Sequence, residues 1–209
     1  MVKELFPSRI YVASLGVRSQ KEWNRELLEE IHKIQAADEN GRQWSERNYW
    51  GGYTSYGSWD QLDRMSSTFQ DLEKRIRFHI ARYAKALHWD VNPRHLRCNS
   101  LWANIMPQGT THSFHIHPLS VISGTYYVSV PPKSSGLQFE DPRHAFMMAC
   151  PPRKAKAPAE DRAHYTHAPK AGEIVLFESW MRHQVPPNPA AQARVSVSFN
   201  YHWDREGAP

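Results

Sequence analysis

Two periodicities divide the chain near residue 97: before it, apolar side chains recur every three or four positions, and beyond it they alternate with polar ones. In the first part, Trp23, Leu27, Ile31 and Ile34 share one helical face, and Ser19 with Glu22 three residues on reads as a capping box. The spacing predicts a helix of about 18 residues. A second stripe, Phe69, Leu72, Ile76, Ile80, Tyr83 and Leu87, predicts another helix that starts near Ser67, with Gln70 completing its box, and stops at Asn92-Pro93. A short strand-like opening, Arg9 to Val12, precedes both helices. The intervening stretch from Arg47 to Gly57 holds glycines that break regular structure and aromatic rings that need something to cover. It reads as an ordered loop, either a lid or a cover for the junction of helix and sheet.

Beyond residue 97 the pattern predicts short strands at Leu101 to Met106, Thr111 to His117, Gly124 to Val130, Leu137 to Phe139, Gly172 to Phe177 and Arg194 to His202. Proline or glycine connects them, as at Pro107-Gln108-Gly109, Pro131-Pro132 and Pro186-Pro187. Short antiparallel strands after two amphipathic helices imply a mostly β fold, a double-sheet jelly roll of cupin-like shape buttressed on one outer face. The expected organisation is a single domain over 1–209, with a helical buttress at 1–96 and a jelly-roll core at 97–203. Residues 144–170, rich in proline, lysine and alanine, read as an unpatterned, mobile surface insertion.

Strand parity locates the chemistry. In the last strand Arg194, Ser196, Ser198 and Asn200 share one face, and Val195, Val197 and Phe199 share the other. The same split separates Thr125, Tyr127 and Ser129 from Tyr126, Val128 and Val130, and Trp102, Asn104 and Met106 from Leu101, Ala103 and Ile105. Three strands thus offer mixed polar and aromatic faces, which open solvent or a polar pocket inside the roll would accept. Their position next to the histidine strands favours the pocket. On a strand, residues two apart point the same way, so His115 and His117 can hold one metal ion while a distant histidine closes the site. Arg194 offers a permanently charged fork that grasps a carboxylate at two points.

Composition narrows the partners. The net charge of +5 is spread along the chain without a basic, aromatic-studded strand array, which argues against nucleic acid. No apolar run is long enough to span a membrane, and Met1 to Leu5 lacks a signal peptide's apolar stretch, so a cytoplasmic protein is expected. Cys98 and Cys150 are too few and too far apart for a disulfide scaffold or zinc site. The spacing of His112 from His115 suits a helix better than a strand, which marks His112 as a loop histidine, and His164 and His167 fall in the insertion. Glu140-Asp141 before Pro142 reads as a turn rather than a metal carboxylate.

Taken together, Gly172-Glu173-Ile174-Val175-Leu176-Phe177, then His183-Gln184-Val185, then Arg194 with Ser196 two beyond it, resemble the C-terminal half of the non-haem iron(II) and 2-oxoglutarate-dependent oxygenases. His115-Ile116-His117 stands where that family has His-x-Asp/Glu, and Gly124-Thr125-Tyr126-Tyr127-Val128 resembles the prolyl-hydroxylase-like strand whose second tyrosine touches the co-substrate. With Trp102-Ala103-Asn104 and Ser123-Gly124, the likeness extends to a bacterial subgroup and covers roughly residues 97 to 203. The resemblance implies a double-stranded β-helix, Fe(II) as metal, and 2-oxoglutarate and dioxygen as co-substrates. Succinate and carbon dioxide would be released as a small molecule or peptide is oxidised. Carried over by position, His115, His117 and His183 are the metal ligands; Arg194, Ser196 and Tyr127 hold the far carboxylate of 2-oxoglutarate, and Asn104 faces the same cavity.

One departure matters. The family's middle ligand is normally a carboxylate, and here it is His117. Neutral imidazoles suit several transition metals. Two rival readings therefore remain open: a three-histidine, cupin-type metalloenzyme that does not use 2-oxoglutarate, and a non-catalytic jelly roll whose pocket binds a small acid or sugar. Arg194 favours the oxygenase over the cupin-type metalloenzyme, because a cationic fork suits a dicarboxylate and is superfluous to that rival.

Overall fold

The structure is a computed structural model and describes residues 1–204. Its order is β1 (Ile10–Ser14), α1 (Gln20–Ala37), α2 (Glu39–Asn48), β2 (Tyr53–Thr54), α3 (Ser67–Ala86), β3 (Leu96–Met106), β4 (His112–His115), β5 (Ile122–Ser129), β6 (Leu137–Glu140), β7 (His164–His167), β8 (Glu173–Glu178), β9 (His183–Val185) and β10 (Arg194–Trp203). Two antiparallel sheets face each other, one ordered β1-β8-β5-β10-β3-β2 and the other β4-β9-β6-β7. This is the expected jelly roll, a double-stranded β-helix with helices on one outer face.

The helices cover the six-stranded sheet because their apolar stripes match its outward parity. Leu27 and Ile31 of α1, and Phe69, Leu72, Ile76, Ile80 and Tyr83 of α3, form one buried cluster with Tyr126, Val128, Val195, Val197 and Phe199. Polar ties pin the layers together. The Tyr126 hydroxyl donates to Asn24 Oδ1 (2.5 Å) and accepts from Gln20 Nε2 (2.6 Å), and the Tyr201 hydroxyl donates to the buried carboxylate of Glu73 (2.9 Å). A smaller apolar cluster, including Met106, Tyr127, Phe139, Val175 and Phe177, lies between the two sheets. It is there that the polar faces of β3, β5 and β10 converge.

Several local expectations need correction. Ser19 occupies the N-cap of α1 but makes no side-chain cap, since the first turn's polar reach goes instead through Gln20 to Asn24 and Tyr126. The cap of α3 is Ser66, whose hydroxyl accepts from Thr68 N, one residue before the expected start. The stretch 47–57 is not all loop: α2 runs to Asn48, β2 pairs with β3, and Tyr53 is buried with its hydroxyl on Asp38 (2.8 Å). Nor is 144–170 unpatterned, because β7 pairs with β6 in register from His164 to His167. There His167 meets the carboxylate of Glu173 (3.2 Å), and the partly exposed His164 lies 3.7 Å from Glu140. Cys98 and Cys150 are free thiols, as expected. Among the described residues no helix is long and apolar enough to cross a membrane.

Candidate active site

The pocket between the sheets is lined by residues of seven strands and two connecting segments, among them His115, His117, His183, Asn104, Tyr127, Arg194 and Ser196. Every site residue expected from the sequence therefore faces one cavity. Ligand nitrogens of His115, His117 and His183 lie within 4.8 Å of one another, the only such histidine, cysteine or carboxylate group among the described residues. Register brings two of them together, since His115 sits opposite His183 where β4 pairs with β9. His117 arrives by a different route from the one expected. Strand β4 ends at His115, and His117 belongs to the following turn, where its N–H bonds Ser179 O (3.0 Å) in the segment joining β8 to β9. That bond anchors the turn on this segment, and the His117 ring lies 5.0 Å from that of His115 and 5.2 Å from that of His183.

Tautomers follow from the partners. His115 Nδ1 and His183 Nδ1 each lie 2.8 Å from a backbone carbonyl, of Ser113 and Met181 respectively. A carbonyl only accepts, so both Nδ1 atoms carry the proton and both Nε2 atoms present a lone pair to the cavity. His117 Nε2 stands 3.4 Å from His183 Nε2, with the two rings nearly parallel. Burial keeps all three rings neutral: it pushes His183 down to about 2 and His117 to about 4, each helped by the neighbouring His115, and it lowers His115 as well. Three neutral, oriented nitrogen donors fit a divalent transition metal without prior loss of a proton. Among the described residues no aspartate or glutamate lines the cavity. Glu140 is engaged by Arg182 (2.6 Å) and Asp141 by Arg143 (2.8 Å), so neither is a metal carboxylate here; the turn reading holds for Asp141, whereas Glu140 ends β6.

These shifts predict a pH dependence. In the unfolded chain the imidazoles protonate near their ordinary value of about 6.5, whereas in the fold His117 and His183 stay neutral to about 4 and about 2. Between those limits the unfolded state binds more protons, so metal-free protein should lose stability as pH falls below about 6.5 and gain nothing above it. Urea midpoints measured from pH 8 to 4.5 check this. A midpoint that stays level over that range for the parent, or drops as steeply for His117→Gln, would contradict it.

At the other end of the cavity lies Arg194, only 3% exposed. It donates to Ser135 O (2.9 Å) and to the Met106 sulfur (3.0 Å), its guanidinium lies over the Tyr127 ring (5.5 Å), and its buried Nε has no partner. No carboxylate pairs with it among the described residues. The hydroxyls of Ser196 and Tyr127 likewise make no hydrogen bond within the described residues, although Ser196 stands opposite Tyr127 and Asn104 on the neighbouring strands. Asn104 differs, because its amide is committed to Ser198 Oγ (3.1 Å), which in turn meets Thr125 Oγ1 (3.2 Å). A second satisfied network, Ser100, Asn200, Ser123 and Ser179, fills the floor of the roll. These networks were not foreseen; parity put their members on the right face, but pairing needs the sheet register.

His112 overturns its expected role as a plain loop residue. A register irregularity between His112 and His115 adds a residue to β4, so positions three apart turn to one side. The His112 ring packs 4.0 Å from that of His115 and lines the cavity, without joining the ligand cluster. Tyr56, just beyond β2, packs on Trp102 (4.9 Å), which in turn lies 6.3 Å from His117 at the metal end of the pocket.

Residues 100–200 match the family model described as "Putative 2OG-Fe(II) oxygenase". Over that span, just under half of the chain, the jelly-roll core is similar to the 2OG-Fe(II) oxygenases. Oxygenases of this family use ferrous iron and 2-oxoglutarate. The fold is also similar to that of solved structures. The epimerase SnoN, in complex with Fe3+, alpha ketoglutarate and nogalamycin RO, is 15% identical with a TM-score of 0.64, over 96% of this chain and 83% of that one. HygX from Streptomyces hygroscopicus, with nickel and 2-oxoglutarate bound, is 11% identical with a TM-score of 0.63, over 93% and 83%. A Pseudomonas putida prolyl-4-hydroxylase is 16% identical with a TM-score of 0.55, over 94% and 93%. No curated protein matches the chain.

Proposed function

We propose that His115, His117 and His183 hold Fe(II) in this oxygenase, that Arg194 with Ser196 and Tyr127 binds the far carboxylate of 2-oxoglutarate, and that the enzyme hydroxylates a small molecule or peptide. The observation that carries the reading is the buried guanidinium of Arg194, which has no anionic partner and an unpaired Nε among the described residues and lines a cavity shared with three neutral histidines. An unpaired buried charge is costly. A dicarboxylate that reaches from the histidines to Arg194 relieves that cost.

With metal, 2-oxoglutarate and dioxygen bound, the site supplies oxidative decarboxylation to succinate and carbon dioxide coupled to oxidation of a C–H bond. The protein's own part is positioning. The carbonyls of Ser113 and Met181 hold two imidazoles in the metal-binding tautomer. Arg194 is fixed by Ser135 and Met106, so its charge is preorganised before a ligand enters. Trp102 and Tyr56 border the approach to the metal end, and the Asn104–Ser198–Thr125 network keeps the adjoining wall neutral. Nogalamycin RO, bound in the SnoN structure, supports a small-molecule substrate.

The test couples metal analysis of anaerobically loaded protein with succinate release. Stoichiometric Fe(II) and iron-dependent conversion of 2-oxoglutarate to succinate are expected, even as slow uncoupled turnover without the oxidised substrate. Metal binding with no response to 2-oxoglutarate would move the assignment to the cupin-type reading, and no metal dependence to the binding module.

A further inference from the structure

The turn that follows α2 lies outside residues 100–200, yet it contributes a wall to the pocket. Tyr49, the C-cap residue of α2, lines the same cavity as Arg194 and is only 6% exposed. Its hydroxyl makes no hydrogen bond to any described residue, which leaves it available to a ligand in that cavity. The ring is held firmly. Tyr49 N donates to Ser45 O (2.7 Å) and Gly52 N to Tyr49 O (2.9 Å), which closes a tight turn with Gly51 at φ +74°. Gly52 is required there: a Cβ on it would stand 2.8 Å from two carbons of the Tyr49 ring and 2.8 Å from Thr110 Cγ2. On the other side the Tyr49 ring meets His112 edge-on (5.9 Å, 86°), and His112 packs on His115. A continuous line of rings thus joins the histidine cluster to Tyr49.

We infer that Tyr49 is a fourth contact to the far carboxylate of 2-oxoglutarate, its hydroxyl donating to the oxygen that Arg194 leaves free, with Gly52 and His112 as positioning residues that aim it. This inference rests on the oxoglutarate reading above. A carboxylate has about four acceptor directions, and the free Nε of Arg194 with the unpartnered hydroxyls of Tyr127 and Ser196 supplies three donors at this end. Burial pushes the Tyr49 phenol well above its ordinary range and the Arg194 charge draws it part of the way back, so the group is a proton donor throughout the physiological range and feels the guanidinium. The arrangement also makes α2 and its turn part of co-substrate recognition.

The experiment titrates Fe(II)-loaded protein calorimetrically without oxygen, using 2-oxoglutarate and 2-oxopentanoate, which has the same chain length but ends in a methyl group. Tyr49→Phe keeps the ring and removes the hydroxyl. It is expected to weaken 2-oxoglutarate about tenfold, to leave 2-oxopentanoate unchanged and to leave iron content unchanged. Gly52→Ala, which pushes the ring aside, should reproduce the loss without touching the hydroxyl. Unchanged oxoglutarate affinity in Tyr49→Phe, or an equal loss for both ligands, overturns the contact. Arg194→Met separates the two levels of argument: if it loses oxoglutarate while Tyr49→Phe does not, only this inference fails. If the parent itself does not bind 2-oxoglutarate, the oxoglutarate reading fails and this contact with it.

Discussion

His183→Ala is expected to yield a folded protein that no longer retains iron. The imidazole is 4% exposed, its Nδ1 is fixed on the Met181 carbonyl, and its Nε2 points at the cluster, so alanine removes the most rigidly aimed of three neutral donors. Loss of an outer partner that merely orients a ligand typically costs 10- to 100-fold in metal affinity, and loss of the ligand itself should exceed that. His115→Ala and His117→Ala should behave alike, because two imidazoles without a carboxylate leave a weak site. His112→Ala should keep its iron, since that ring lies beside the cluster and not within it. Metal content per chain after anaerobic loading and gel filtration, with circular dichroism as a fold control, decides the matter. Full iron occupancy in His117→Ala or His183→Ala would end the three-histidine centre. His117→Asp restores the family's usual carboxylate and adds a negative charge to a site that has none; iron should be retained and held more selectively against zinc.

How much of this site could be read from the sequence depends on how regular the backbone is at each residue. The polar face of β10 was legible because period two holds from Arg194 to Asn200, and the sheet register then sets Ser196 against Tyr127 and Asn104. His112 was not, because a bulge is an extra residue that period-two counting cannot see. The helix α2 escaped for a different reason: its buried positions are Gly41 and Ser45, so no apolar stripe exists to find. The signal for it is Asp38, whose carboxylate caps Gly41 N (2.8 Å). Strand β9 is only three residues long and is recognisable through its partners rather than itself. Tyr49 depends on all of these, since it reaches the cavity from the end of that unseen helix and packs on that bulged histidine.

Arg194→Met is expected to bind 2-oxoglutarate about ten- to several-hundred-fold more weakly than the parent, because a charged hydrogen bond is worth roughly 1.5–3 kcal/mol and the carboxylate it leaves behind stays buried. Iron content should be unchanged, as the histidines sit on other segments. Tyr127→Phe and Ser196→Ala should show the same selectivity with smaller losses, each removing one neutral donor. The same substitution carries a second, independent expectation. Without ligand the guanidinium is a buried charge held only by the Ser135 carbonyl and the Met106 sulfur against the Tyr127 ring. Methionine fits that apolar surrounding and removes the desolvated charge, which outweighs the loss of one hydrogen bond to Ser135. The unliganded variant should therefore melt at a higher temperature than the parent, while 2-oxoglutarate with metal should raise the melting temperature of the parent alone. A variant that bound oxoglutarate like the parent would remove Arg194 from the site. One that melted lower without ligand would show that Arg194 is held by the fold for its own stability, and that the cavity is not strained for want of an anion.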